Sequence, residues 1–219
     1  GKRATKPILG YIRQPDLETI LIAPDRSKPQ GRRDHALLLF LARTGARVSE
    51  ATGLNVGDLT LEWPSQVLLR GKRSKQRIVP LAKDTASVLR TYLEERRVGP
   101  QPQAPVFLNA RGRRLSRFGV IYILRQAVSI TSKTVLIAGT GSISPHTMRH
   151  SLAMGLLQSG IDPTTIQPWL GHASLSTTHQ YMEADLEMKR RALEKCDTPE
   201  TAPAPYQPTD EVLAFLESL

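Results

Sequence analysis

One cysteine, Cys196, is all the thiol chemistry this 219-residue chain has, so an intramolecular disulfide is excluded and the cysteine spacing of a zinc site is missing. No stretch approaches the ~20 apolar residues that a membrane span needs. The opening Gly1-Lys2-Arg3-Ala4-Thr5-Lys6 is basic and polar, with no apolar run after it of the kind a signal peptide carries. The expectation is a cytoplasmic protein in a reducing compartment, with no membrane partner. The acidic residues form no evident magnesium-binding cluster and no internal repeat is visible. Neither a metal nor an organic cofactor is expected.

What the chain does have is positive charge. Lysine and arginine outnumber aspartate and glutamate by 30 to 20, a net charge of +10, and 40% of the residues are hydrophobic, enough for a substantial core. Such an imbalance draws a protein to polyanions, and nucleic acid is the first partner to consider. Charge speaks to association rather than to fold, so a chain that is merely basic stays open at this point.

Helical spacing over Asp16 to Ile22 predicts a short helix, and Arg32 to Arg43 is apolar nearly all round, as a buried helix would be. A short helix over Arg47 to Leu54 is followed by two β-prone runs, Gln66 to Leu69 and Arg77 to Leu81, which flank the polar segment Gly71 to Gln76 and predict a hairpin with a basic tip. Asp84 to Arg96 returns to helical spacing, Pro105 to Leu108 reads as a short extended piece, and Ser116 to Val128 as a helix. Ser129 to Ile143, with its β-branched residues and the cluster Gly139-Thr140-Gly141-Ser142, reads as a loop. Ser144-Pro145 opens a helix that Gly160 stops, with a serine at the cap and proline at the first helical position. Helices over Pro163 to Leu170, Ser174 to Tyr181 and Asp185 to Lys195 complete the compact part. The fold class is mainly α with a small antiparallel β-sheet.

Breaking a DNA phosphodiester without a metal needs a nucleophile, cations against the non-bridging oxygens and an acid for the departing oxygen. His146 and Arg149 sit three apart at the start of the helix opened by Ser144-Pro145, where backbone N–H groups favour anions, so they form a candidate phosphate clamp. Arg47 follows Gly45, and Glu50, one turn later, could hold its guanidinium. Lys72 sits at the hairpin tip, and Tyr181 comes nine residues after His172 in Leu170-Gly171-His172. Each feature alone also fits a bland alternative: a polar stripe, a surface ion pair, a solvated turn lysine.

In this order and at these separations, Arg47 with Gly45 and Glu50, Lys72 on a hairpin, His146-Thr-Met-Arg149-His150-Ser151, Leu170-Gly171-His172 and Tyr181 resemble the catalytic domain of the tyrosine recombinases, or phage-integrase family, from about Asp16 to Lys195. The resemblance implies a site-specific DNA recombinase, integrase or transposase of bacterial, phage or mobile-element origin, working without metal or ATP. It implies that Tyr181 attacks the scissile phosphate to form a 3′-phosphotyrosyl bond. Arg47 and Arg149 would bind the non-bridging oxygens, Lys72 protonate the leaving 5′-hydroxyl, His146 assist proton transfer, His172 hydrogen-bond the phosphate and Glu50 buttress Arg47. The family's Gly-Lys-Gly hairpin here has Arg73 for its second glycine, which makes Lys75 a rival to Lys72.

The resemblance further implies double-stranded DNA as partner and a homo-oligomer, a tetramer on paired sites. Residues 1–15 are expected to be a basic linker from a further N-terminal DNA-binding domain, 16–196 the catalytic domain, and 197–219 an acidic, proline-rich tether ending in a helix over 210–219 that is exchanged between protomers or docked on its own domain. Arg32, Arg33, Arg73, Lys75, Arg111, Arg113, Arg114 and Arg117 are candidate DNA contacts, with solvated basic loops as the equal alternative. A type IB topoisomerase and a non-catalytic DNA-binding relative are the competing readings.

Overall fold

The structure is a computed structural model, and it describes residues 10–71, 75–96, 101–131, 137–138 and 143–171. The expected helices over 174–181 and 185–195 and the tail from 197 lie outside the described residues.

The centre of the fold is α2 (Pro29–Thr44), and its composition says why: every residue from Ala36 to Ala42 is buried, so no face is left for solvent. Around it pack α4 (Lys83–Glu95), through Ala86, Leu89 and Leu93, and α6 (Pro145–Gln158), through Met148 and its neighbours. Phe107 closes one side, stacked on Tyr92 at 5.9 Å between ring centroids and tilted against Phe40 at the same distance. Helix α1 (Gln14–Ile22) buries Leu17, Ile20 and Leu21; α5 (Arg117–Thr131) buries Val120, Ile123, Leu124 and Ala127.

One antiparallel sheet has the order β2 (Leu59–Thr60), β3 (Gln66–Arg70), β4 (Gln76–Pro80), with Val67 facing Val79 and Arg70 facing Gln76 across the central pair. Period-two alternation puts Val67, Leu69 and Val79 into the core. The predicted hairpin is present, and β2 joins it as a third strand too short to show alternation in the sequence. The mainly α fold with a small antiparallel sheet is therefore the one expected.

The helix boundaries follow local chemistry. Helix α2 starts three residues before the predicted Arg32 because Pro29 occupies its first turn, and it ends at Gly45, whose φ of 63° only glycine adopts freely. Helix α6 spans the segment that Ser144-Pro145 and Gly160 announced, and α7 (Pro163–Leu170) is capped by the Asp162 side chain and terminated by Gly171 at φ 62°.

The loop reading of 129–143 is corrected at 129–131 and at 137–138. Helix α5 continues through Thr131, which returns its hydroxyl to the Ala127 carbonyl, and Ile137–Ala138 forms β5, paired antiparallel with β1 (Tyr11–Ile12). A two-residue strand whose partner lies more than a hundred residues away has no local signature. The pair is tied to α6, where the Ile12 N–H donates to Ser151 Oγ at 2.8 Å.

Candidate active site

The first turn of α6 carries the predicted clamp. Ser144 and Thr147 cap each other, the Thr147 N–H reaching Ser144 Oγ and the Ser144 N–H reaching Thr147 Oγ1, both at 3.2 Å. Fixing this turn fixes its side chains, and residues three apart share a face. Arg149 is only 3% exposed; it donates from Nη1 to the Gly45 carbonyl at 2.6 Å and from Nη2 to the Leu170 carbonyl. Gly45 leaves room beside this contact for the Leu170 side chain, whose Cδ2 a Cβ there would meet at 2.6 Å. His146 lies on the open side of the turn, edge-on to the buried His150 ring at 4.2 Å.

Arg47 is the N-cap of α3 (Val48–Gly53), and Glu50 is its third residue. The Glu50 carboxylate accepts the Arg47 backbone N–H at 2.7 Å and Arg47 Nη1 at 3.0 Å. Glu50 is 3% exposed, which rules out the surface ion pair that the sequence left open. A buried carboxylate needs more than one partner. The second comes from Arg77 on β4, which meets Glu50 in a two-pronged pair at 2.6 and 2.9 Å. Burial pushes the Glu50 carboxyl up, but the hydrogen bonds from Arg77 and from the Arg47 backbone, with both guanidinium charges, hold it below its ordinary value.

Three arginines also converge on the end of α7. Arg77 Nε donates to the Trp169 carbonyl at 2.8 Å, Arg149 to that of Leu170, and Arg47 Nη2 to that of Gly171 at 2.8 Å. These are among the carbonyls that a helix C-terminus leaves without an intrahelical partner, and they carry the negative end of its dipole. The turn at Gly171 that ends α7 is therefore held by arginines.

Arg47, Arg149 and His146 line one cavity of about 260 Å³, with Ser49 and Arg117 at its wall. Burial, then the Arg149 and Arg47 charges, lowers the His146 pKa; burial, then His146 and Arg149, lowers that of His150 to about 4. The shift favours the neutral His146 imidazole, the form able to accept a proton. An anionic ligand beside two guanidinium groups and a neutral imidazole is what this cavity suits.

Of the remaining predicted site residues, Lys72, Arg73, His172 and Tyr181 lie outside the described residues. The hairpin that bears Lys72 is anchored beside the cavity's support: the Gly71 N–H donates to the Lys75 carbonyl at 2.7 Å, and a Cβ on Gly71 would come within 3.3 Å of Glu50 Oε1. Lys75, Arg111 and Arg113 are exposed, and Arg117 reaches the cavity. Arg32, Arg33 and Arg114 are engaged within the fold, Arg32 with Glu95, Arg33 with Asp34 and the Leu108 carbonyl, and Arg114 with the Thr52 and Leu54 carbonyls. Sequence reasoning missed Arg77. Its signal was there: in Arg77-Ile78-Val79-Pro80-Leu81 the charged residue shares the period-two face of the buried Val79 and Leu81, so it had to have a buried partner. Among the described residues no three His, Cys, Asp or Glu side chains gather to hold a metal, and no helix is long and apolar enough to cross a membrane.

Comparison with known proteins follows the same lines. The sequence matches the phage integrase family over residues 11–188. It is 42% identical over 219 residues, all of this chain, to y4rC of Sinorhizobium fredii, named as an integrase/recombinase, and covers 65% of that protein. It is 38% identical over 188 residues, 86% of this chain, to the tyrosine recombinase XerC of Pelobacter propionicus, of which it covers 60%. The chain thus spans less than two thirds of the length of these relatives. Among solved structures, the XerA recombinase superposes with a TM-score of 0.72 at 26% identity, over 88% of this chain and 66% of that one. The XerH site-specific recombinase, in a post-cleavage complex with palindromic difH substrate, gives 0.74 at 27% identity, over 89% of this chain and 55% of that one. By sequence and by fold, this chain belongs to the phage integrase family, the tyrosine recombinases, and has the architecture of their catalytic domain.

Proposed function

We propose that the chain is the strand-breaking and rejoining part of a site-specific DNA recombinase or integrase acting on double-stranded DNA. One observation carries this reading: Arg47, at the cap of α3, and His146 and Arg149, on α6, line the same cavity, with both guanidinium groups held by the fold.

In the proposed reaction the scissile phosphate sits in that cavity with its non-bridging oxygens toward Arg47 and Arg149, whose charges stabilise the pentacoordinate transition state. The Tyr181 hydroxyl attacks phosphorus as His146 takes its proton, forming the 3′-phosphotyrosyl bond. The bond to the 5′-oxygen breaks, and Lys72, with Lys75 as its rival, supplies that oxygen with a proton. His172 donates a hydrogen bond to the phosphate. Attack by the 5′-hydroxyl of a partner strand reverses each step and releases the tyrosine, so bond energy is conserved and neither ATP nor a metal is called for. Residues 16–196 would make up this catalytic domain, 1–15 a basic linker, and 197–219 a tether whose helix over 210–219 docks on a neighbouring protomer in a DNA-bound tetramer. Arg111, Arg113 and Arg117, with Arg73 and Lys75 at the hairpin, would add phosphate contacts.

The test is to incubate the full-length protein, wild type and Tyr181→Phe, with nicked DNA carrying its recombination site in the presence of EDTA, and to look for a protein–DNA band that survives SDS. The expected result is a band from wild type alone. No band from either protein, on DNA that both bind, would overturn the reading in favour of a DNA-binding protein without cleavage activity.

A further inference from the structure

Resting on the reading just given, one group in the site has a role that the reaction scheme leaves open. Glu50 lies against Arg47, whose charge the phosphate needs; alone, its buried carboxylate, 3.0 Å away, would offset much of that charge. Arg77 engages both Glu50 oxygens at shorter range, and its side chain is itself only 12% exposed, so neither charge of the pair is much weakened by water. With Arg77 present, Arg47, Arg77 and Arg149 stand against the Glu50 carboxylate, three positive charges against one negative, so among the described residues this cluster behind the cavity carries a net charge of +2. Without it, half of that would be gone.

The same guanidinium is also a brace. Its Nε holds the Trp169 carbonyl, one residue before the Leu170 carbonyl that takes Arg149 and two before the Gly171 carbonyl that takes Arg47. Gly171 packs directly on it: a Cβ there would meet Arg77 Nη1 at 3.1 Å and Cδ at 3.2 Å. Glu50 in turn abuts Gly71 at the base of the hairpin.

We infer that Arg77 is a positioning residue for strand cleavage: by occupying both oxygens of Glu50 and the Trp169 carbonyl, it leaves the Arg47 charge available to the scissile phosphate and holds the end of α7 against Arg47 and Arg149. Arg77 does not itself line the cavity. Both of its effects therefore reach the phosphate through Arg47 and Arg149, and should shrink when the phosphate has no charge for those arginines to neutralise.

The experiment measures single-turnover formation of the SDS-resistant adduct at saturating protein, for wild type and Arg77→Gln. Two nicked substrates are compared, one native and one with a methyl group replacing a non-bridging oxygen of the scissile phosphate. On native DNA, Arg77→Gln is expected to slow adduct formation by about 10- to 100-fold while the Kd for DNA stays within about threefold. On the uncharged substrate the deficit is expected to shrink to about threefold or less. An equal deficit on both substrates, or no deficit on the native one, overturns the inference, since loss of general structure would slow both alike. If Arg77→Gln does not fold, Arg77→Lys takes its place: it keeps a charge on Glu50 but cannot also span to Trp169, so a smaller deficit on native DNA that again shrinks on the uncharged substrate is expected, and an equal deficit on both overturns the inference. Failure of wild type to form any adduct would instead overturn the recombinase reading, and this one with it.

Discussion

At the scale of single residues, the buried histidine beside the cavity offers a clean measurement. The His150 imidazole titrates at about 4 in the folded protein, against roughly 6.5 in an unfolded chain. The folded state therefore refuses a proton that the unfolded state takes. Stability from this group is fully present above pH 6.5 and is lost as the pH falls from there toward 4. Urea unfolding at pH 7 and pH 4.5 should show wild type losing on the order of 2 kcal/mol more than His150→Gln over that interval. Equal losses would mean that the histidine is not held neutral. Residue chemistry was also where the sequence was most informative: Arg47, His146 and Arg149 were picked out by spacing and neighbours, and the fold brings them to one cavity. The bland reading of Glu50 could be discarded only once its burial was known.

At the scale of elements, caps and turns set where side chains point. Ser144→Ala removes the acceptor for the Thr147 N–H and should cost about 1 kcal/mol, a fall of about 2–4 °C in Tm for a protein of this size. Gly171→Ala is a sharper change. Its backbone sits at φ 62°, and the added methyl would press on Arg77, so a Tm loss of a few degrees should come with a drop in adduct formation of more than about tenfold. If Gly171→Ala and Ser144→Ala cleave equally well, the end of α7 does not align the arginines. Helices α6 and α7 were legible in the sequence because Ser144-Pro145, Gly160, Asp162-Pro163 and Gly171 punctuate them locally. Strands β1 and β5 were not, because each is two residues long and exists only by pairing with the other.

At the scale of the whole molecule, a net charge of +10 and the basic cavity should make DNA binding strongly salt-dependent. Each phosphate neutralised contributes a slope of about −0.9 in log K against log [salt], so Arg117→Ala at the cavity wall should reduce the magnitude of the slope by about one. A slope unchanged by Arg117→Ala would place that side chain off the DNA.

The sequence by itself determined the family, the fold class and most helix ends, because motif order, hydrophobic period and capping are read over a few neighbouring residues. Only the tertiary structure decided what surrounds the reactive groups. The Glu50–Arg77 pair joins residues 27 apart, Arg149 meets Gly45 across 104, and Arg47 meets Gly171 across 124. No local pattern encodes such meetings. They arise because α2 packs on both α3 and α6, while α3 and α7, itself packed on α6, meet the sheet, so that a carboxylate shut away from water had to be paired and three orphaned carbonyls had to be met by donors.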